Sequence, residues 1–176
     1  LIGALIMVHG DNKGLRLPPK VAPTQIVIVP ILRKDSNINE ILKYIENLKN
    51  ELKKHDIRFY VDVRPKLSPG HKFNEWEMKG VPVRIEVGPR DMENEELVIC
   101  RRDNDTKETI SINQSSEILI QLLDEIQTNL FNQAKDFMDQ HTSNVSTWHE
   151  FKQNIDNGFV ICGWDGTEKT EIKIKE

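Results

Sequence analysis

The 21 residues from His71 to Asp91 place Phe73, Trp76, Glu77, Arg84, Arg90 and Asp91 close together in the chain. These are residue types that stack on a nucleobase and hydrogen-bond its Watson–Crick edge. Phe73 and Glu77 are four apart, so on a helix they share one face, with Trp76 beside Phe73 on a neighbouring stripe. The ring offers a stacking platform worth about 1–3 kcal/mol per base. An ionised Glu77 can accept from the N1–H and the exocyclic amine of a guanine. Arg84 alternates with Val83 and Ile85 along a strand and leaves on the opposite face, which presents it. Arg90 follows Gly88-Pro89, a turn at the strand's end, where ligands of α/β sheets commonly bind. Guanidinium groups pair bidentately with guanine O6 and N7 or with phosphate, and Asp91 can accept from a base amine or orient Arg90. Taken together the group points to RNA recognition.

A structural reading competes residue by residue. Phe73 and Trp76 can pack on a sheet while Glu77 pairs with Lys79 or Arg84. Arg84, Glu86, Arg90 and Asp91 can form an ion-pair network on a solvated surface, which is energetically minor. Charge does not decide between the two. The chain carries a net −4, which argues against generic nucleic-acid binding. From Arg64 to Arg90, however, six basic residues face three acids, an excess that also fits a solvated face.

Other chemistry finds no support. There is no Walker-type or GxGxxG loop. The five histidines lack HExxH or other close ligand spacing. Cys100 and Cys162 lie 62 positions apart without a CxxC, which suggests neither a disulfide framework nor a cysteine-rich zinc site and fits a reducing, cytosolic setting. Gly10-Asp11-Asn12-Lys13-Gly14 reads as turn chemistry. The apolar opening Leu1 to Val8 has no basic leader and is far shorter than the roughly 20 residues that span a bilayer. It is expected to be a core segment whose partners lie upstream, making the chain a fragment.

The elements that position these residues follow from patterning. At 176 residues with 38% hydrophobic and 30% charged side chains, the chain can bury one ordinary core with an appendage. Three prolines between Leu15 and Pro23 suit an extended connector and a boundary. Gln25 to Ile31 is an unbroken β-branched run, expected of a central strand. Asn37 and Glu40 suggest a capping box, followed by Ile38, Ile41, Ile45, Leu48 and Leu52 at helical spacing to about His55. Ile57 to Val63 alternates as a second strand. Ser68-Pro69 and Gly80 bracket a short helix over about 69–79, and Val81 to Val87 forms a third strand. Glu96 to Arg101 and Lys107 to Ile112 read as a hairpin around Asp103-Asn104-Asp105, and a long amphipathic helix carries Ile118 to Met138. The order β-α-β-α-β-β-β-α predicts an α/β domain with a mixed sheet. After a loop over Thr142 to Ser146, a small helix with Trp148, a stop at Gly158 and a strand from Phe159 to Cys162 begin a further piece, which ends in a charged segment.

The block from Phe73 to Asp91, together with Leu-Ile-Gly-Ala-Leu-Ile-Met-Val-His-Gly-Asp at the start, resembles the carboxy-terminal part of prolyl-tRNA synthetases of the archaeal/eukaryotic-like type, class II aminoacyl-tRNA synthetases. The resemblance covers nearly the whole chain. The block separates it from the histidyl, threonyl and glycyl relatives that share the fold. It implies that 1–22 is the end of the catalytic domain (the motif 3 helix) with a Pro-rich linker. Residues 23–140 would be the mixed-sheet class II anticodon-binding domain with helices on both faces, and 141–176 part of a small α+β C-terminal domain. Phe73, Glu77, Arg84, Arg90 and Asp91 fill the positions that in relatives read the two guanines shared by proline anticodons. No catalytic residue falls in this chain, so alone it is expected to be inactive and to bind no cofactor.

The resemblance implies a parent that is an ATP-dependent proline–tRNA ligase, forming prolyl-adenylate with ATP and Mg2+ as a cytoplasmic homodimer without a membrane role. Many members hold zinc through four cysteines. Here Gly163-Trp164-Asp165-Gly166-Thr167 occupies part of that region with Cys162 alone nearby, so no zinc is expected. The alternative is a non-catalytic accessory protein that uses the same fold for protein or general RNA contacts.

Overall fold

The computed structural model describes residues 2–32 and 37–175. Leu1 and the final residue Glu176, which bound two of the expected segments, lie outside the described residues. The chain divides into two compact units, Leu1–Phe131 and Asn132–Glu176.

The first unit is organised by β1 (Ile26–Pro30), every residue of which is buried. It pairs in parallel with both β2 (Phe59–Val61) and β3 (Val83–Val87), and β3 continues antiparallel through β4 (Glu96–Arg101) to β5 (Lys107–Ser111). The sheet order is β2-β1-β3-β4-β5. A strand paired on both sides within an α/β layer loses water from both faces, which is why β1 has no polar alternation.

One face holds the main core. Ile26, Ile28, Val83, Ile85, Val87, Leu97 and Ile99 meet Ile41, Ile45, Leu48 and Leu52 from α2 (Ile38–Tyr44) and α3 (Glu46–Lys54), and Leu119, Leu122, Leu123, Ile126 and Leu130 from α6 (Ser115–Gln140). The single helix expected over 38–55 is interrupted at Ile45, yet Ile45 N–H donates to Ile41 O and Lys49 N–H to Ile45 O, so the apolar stripe runs on. At its start the Asn37 side chain accepts from Asn39 N–H. Among the described residues no helix is long and apolar enough to cross a membrane.

On the opposite face α4 (Pro69–Met78) lies against β1, with Phe73 and Trp76 over Val27, Val29 and Val81. Ser68 caps it by accepting from His71 N–H, Pro69 fills its first turn, and Gly80 leaves it at φ +74°. Helices therefore cover both faces of a mixed sheet. Strand partners share a face, so β3, β4 and β5 present Arg84, Glu86, Cys100 and Lys107 beside α4.

In the first unit the second strand and the Gly88-Pro89 turn needed correction. The second strand is three residues rather than seven, because only Ile26, Val27 and Ile28 offer it a ladder. Gly88-Pro89 opens a helix, α5 (Pro89–Glu93), rather than a simple turn. The Pro-rich segment, expected as an extended connector, holds no helix or strand over residues 15–23 and is tied down by hydrogen bonds. Arg58 donates from Nε to Ala22 O at 2.9 Å and from Nη2 to Pro19 O at 2.9 Å, and Gln25 Nε2 donates to Pro19 O. The opening apolar run forms α1 (Ile2–His9), which buries no residue, with Ile2 74% and Met7 82% exposed.

In the second unit the segment expected as a loop contains β6 (Thr142–Asn144), which pairs in parallel with β7 (Phe159–Ile161). That pairing is non-local and has no signature in a three-residue polar run. Between them α7 (Trp148–Asn154) starts with Thr147 and Glu150 capping each other's backbone. The terminal charged segment is helical, α8 (Glu168–Lys175), with Lys173 4.6 Å from the Trp148 ring centroid.

Candidate nucleic-acid interface

The open part of the sheet is built from acid–base pairs. Arg84 donates from Nε and Nη2 to Glu86 Oε1 at 3.2 and 3.0 Å, while Lys107 Nζ reaches Glu86 Oε2 at 2.7 Å and Cys100 Sγ donates to Oε1 at 3.2 Å. Glu86 is buried beneath them. Burial alone would push its carboxyl up, but the hydrogen bonds from Lys107, Cys100 and Arg84 outweigh that and hold it below its ordinary value. The ion thus stays charged under a basic rim. Burial first, and then the Glu86 carboxylate, push the Cys100 thiol up to about 11, so it serves as a neutral floor.

Arg84 also stands over Phe73, with its Cζ 4.4 Å from the ring centroid. This modifies the expected stacking platform. The ring is shared with a guanidinium, so a planar ligand would have to stack on that group or displace it. Phe73 is half-buried and packs against Val27, Val29 and Val81. Trp76, in contrast, is a structural residue. Its Nε1–H donates to Asp62 Oδ2 at 2.8 Å, and Arg64 donates to both oxygens of that fully buried acid at 2.8 and 2.6 Å. Lys72, also buried, donates to Asp62 O at 3.0 Å. The network fixes α4 to the end of β2.

Glu77 and Arg84 line one cavity of about 220 Å³, with Lys13, Arg102 and Lys107 also on its wall and Cys100 at its floor. Glu77 pairs with neither Lys79 nor Arg84. Its Oε1 lies 3.2 Å from Lys13 Nζ, whereas Lys79 pairs with Glu75 at 2.6 Å and covers Trp76. Of the surface network expected among Arg84, Glu86, Arg90 and Asp91, the Arg84–Glu86 pair is present. Asp91 Oδ2 instead accepts from Gly88 N–H at 2.8 Å, which caps α5. Arg90 is exposed in the first turn of α5 and, among the described residues, makes no ion pair. The structure therefore gathers Phe73, Glu77 and Arg84 into one site and sets Arg90 and Asp91 on a separate short helix at the end of β3, outside the cavity.

Lys107 and Lys13 belong to the site by geometry and were not singled out by sequence. The first left a signal: a hairpin turning at Asp103 to Asp105 pairs Lys107 with Cys100 and Cys100 with Arg84, which puts all three on one face. Lys13 left none. Its turn is closed by Asp11, whose Oδ1 accepts from both Lys13 N–H and Gly14 N–H, so a side-chain carboxylate already occupies those donors. Among the described residues no cluster of three or more His, Cys, Asp or Glu is placed to hold a metal ion.

The arrangement offers an aromatic–guanidinium stack, one accessible carboxylate and several cations around a shallow polar cavity. Such groups can complement a planar ligand with hydrogen-bond donors on one edge and negative charge nearby, the chemistry that a guanine within a polynucleotide presents.

Comparison with known proteins gives a consistent result. Residues 25–122 match the anticodon binding domain family. The chain is 49% identical over 177 residues to the proline–tRNA ligase of Rubrobacter xylanophilus and 48% identical to that of Prosthecochloris aestuarii, covering 99% and 100% of this chain. It spans 37% and 36% of those relatives' own lengths. Among solved structures, the prolyl-tRNA synthetase of Cryptosporidium parvum complexed with L-proline and AMP superposes with a TM-score of 0.91 at 39% identity, over 99% of this chain and 38% of that one.

Proposed function

This chain belongs to the anticodon binding domain family, and from that premise we propose that it is the tRNA-reading part of an ATP-dependent proline–tRNA ligase. The observation that carries the proposal is the cavity shared by Glu77 and Arg84, with Arg84 stacked on Phe73. Glu77 accepts from a guanine's N1–H and amine, Arg84 pairs with its O6 and N7 or a phosphate, and Phe73 supports the stack. Arg90 and Asp91, on the adjacent helix, address a second base or its backbone. Residues 1–22, 23–140 and 141–176 are assigned to the end of the catalytic domain with its linker, the anticodon-binding domain and part of the C-terminal domain.

The similarity to proline–tRNA ligases supports a parent that uses tRNA, proline and ATP. The Cryptosporidium relative was complexed with L-proline and AMP. Mg2+ as the partner of ATP, a homodimeric state, a cytoplasmic setting without membrane association and the lack of zinc complete the proposal. The lack of zinc rests on Cys162 standing alone where many members have four cysteines, and the others on the family resemblance.

The test is binding of a proline anticodon stem-loop RNA. Arg84→Ala or Glu77→Gln should weaken binding by about 1–3 kcal/mol per lost base contact. Against RNA whose two anticodon guanines have been replaced, the same variants should cost nothing more. Full additivity of protein and RNA changes would sink the proposal.

A further inference from the structure

Lys13 reaches the guanine-reading acid from outside the stretch that matches the anticodon-binding family, which begins at residue 25. Its Nζ lies 3.2 Å from Glu77 Oε1 and 2.9 Å from Asp105 Oδ2. An ammonium has three donors, so it can hold both acids and still leave Glu77 with lone pairs for a base.

The turn that carries Lys13 is fixed to the same helix end at several points. Arg102 Nη1 and Nη2 bind Asp11 Oδ2 and Oδ1 at 2.7 and 2.6 Å, and its Nε donates to the backbone oxygen of Glu77 at 3.0 Å. Leu15 N–H donates to Met78 O and Leu17 N–H to Gly80 O, both at 3.0 Å. Gly14, at φ +133°, comes so close that a Cβ there would sit 2.5 Å from Met78 O. One turn therefore locates both the backbone of Glu77 and the cation at its side chain. A glutamate left to rotate freely would lose part of a bidentate contact to ordering.

We propose that Lys13 is a positioning residue that orients the Glu77 carboxylate for the guanine edge and so sets base discrimination. This deepens the assignment of Glu77 as a base-contacting residue made above and depends on it. The competing role for a half-exposed lysine is a plain phosphate contact, which would strengthen binding of any RNA.

The full chain is titrated with two stem-loops, one carrying the anticodon guanines and one with inosine in their place, which lacks the 2-amine. Wild type should prefer guanine. Lys13→Met should reduce that preference by roughly two- to fivefold, the range of an exposed ion pair, and Lys13→Arg should retain it. In a Glu77→Gln background Lys13→Met should change the preference no further. Equal weakening of both RNAs by Lys13→Met, or an effect undiminished by Glu77→Gln, overturns the proposal and leaves a phosphate contact. A preference lost in Glu77→Gln but kept in Lys13→Met overturns the role of Lys13 alone. No guanine preference in wild type removes the assignment of Glu77 and this inference with it.

Discussion

The guanidinium of Arg84 stands 4.4 Å over the ring of Phe73, joining a strand residue to a helix residue eleven positions earlier in the chain. Phe73 packs on the apolar patch of Val27, Val29 and Val81. Phe73→Leu keeps most of that packing, so its stability cost should stay under about 1.5 kcal/mol. It removes the aromatic face, and RNA affinity should fall by about 1–3 kcal/mol. Thermal melts and stem-loop titrations on one preparation separate the two. A large loss of stability with unchanged affinity would make Phe73 a core residue only.

Arg90 and Asp91 are neighbours in sequence with different structural surroundings. Asp91 caps α5 through Gly88 N–H, so Asp91→Ala should destabilise the protein by about 1 kcal/mol. Arg90 is exposed, and Arg90→Ala should alter stability by less than about 0.5 kcal/mol while weakening RNA binding and flattening its salt dependence. Urea denaturation and binding at two salt concentrations check both.

The Asp62 network gives an acid-sensitive term. Hydrogen bonds from Arg64, and then from Trp76, hold the buried carboxyl well below its ordinary value of 3.8. Its folded value being depressed, the network contributes full stability above the unfolded value and loses it as pH falls from about 4 downward. Asp62→Ala removes the carboxylate that accepts from Arg64 and Trp76 and lies 3.8 Å from the buried Lys72 ammonium, and should cost about 3–5 kcal/mol near neutrality. With Asp62→Asn, the difference in melting temperature from wild type should shrink steadily as pH falls below about 4. A constant difference across that range would show that the ionised carboxylate is not what stabilises.

The two cysteines should label very differently. Cys162 is exposed, whereas Cys100 is buried with its thiol pushed up to about 11. Alkylation near neutral pH followed by peptide mass analysis should modify Cys162 and spare Cys100. Bound stem-loop RNA should protect Cys100 further, since that thiol floors the cavity. Rapid labelling of Cys100 in the folded chain would contradict the arrangement of β3, β4 and β5.

Local patterning determined most of the framework. Ser68-Pro69 and Gly80 bound α4 because cap and stop act over one turn of helix, and the apolar run at 25–31 marked β1 because a fully buried strand has no room for polar alternation. The choice of Phe73, Glu77 and Arg84 also came from spacing, since side chains four apart on a helix and alternating on a strand have fixed faces. What partners those side chains take was decided by tertiary structure. Lys13 approaches Glu77 across 64 positions and Lys107 approaches Glu86 across 21, and β6 exists only because β7 lies beside it. Ion pairing and strand pairing depend on distance in space, which no periodicity along the chain encodes, so the sequence alone showed which groups face outward and only the fold showed which charges meet.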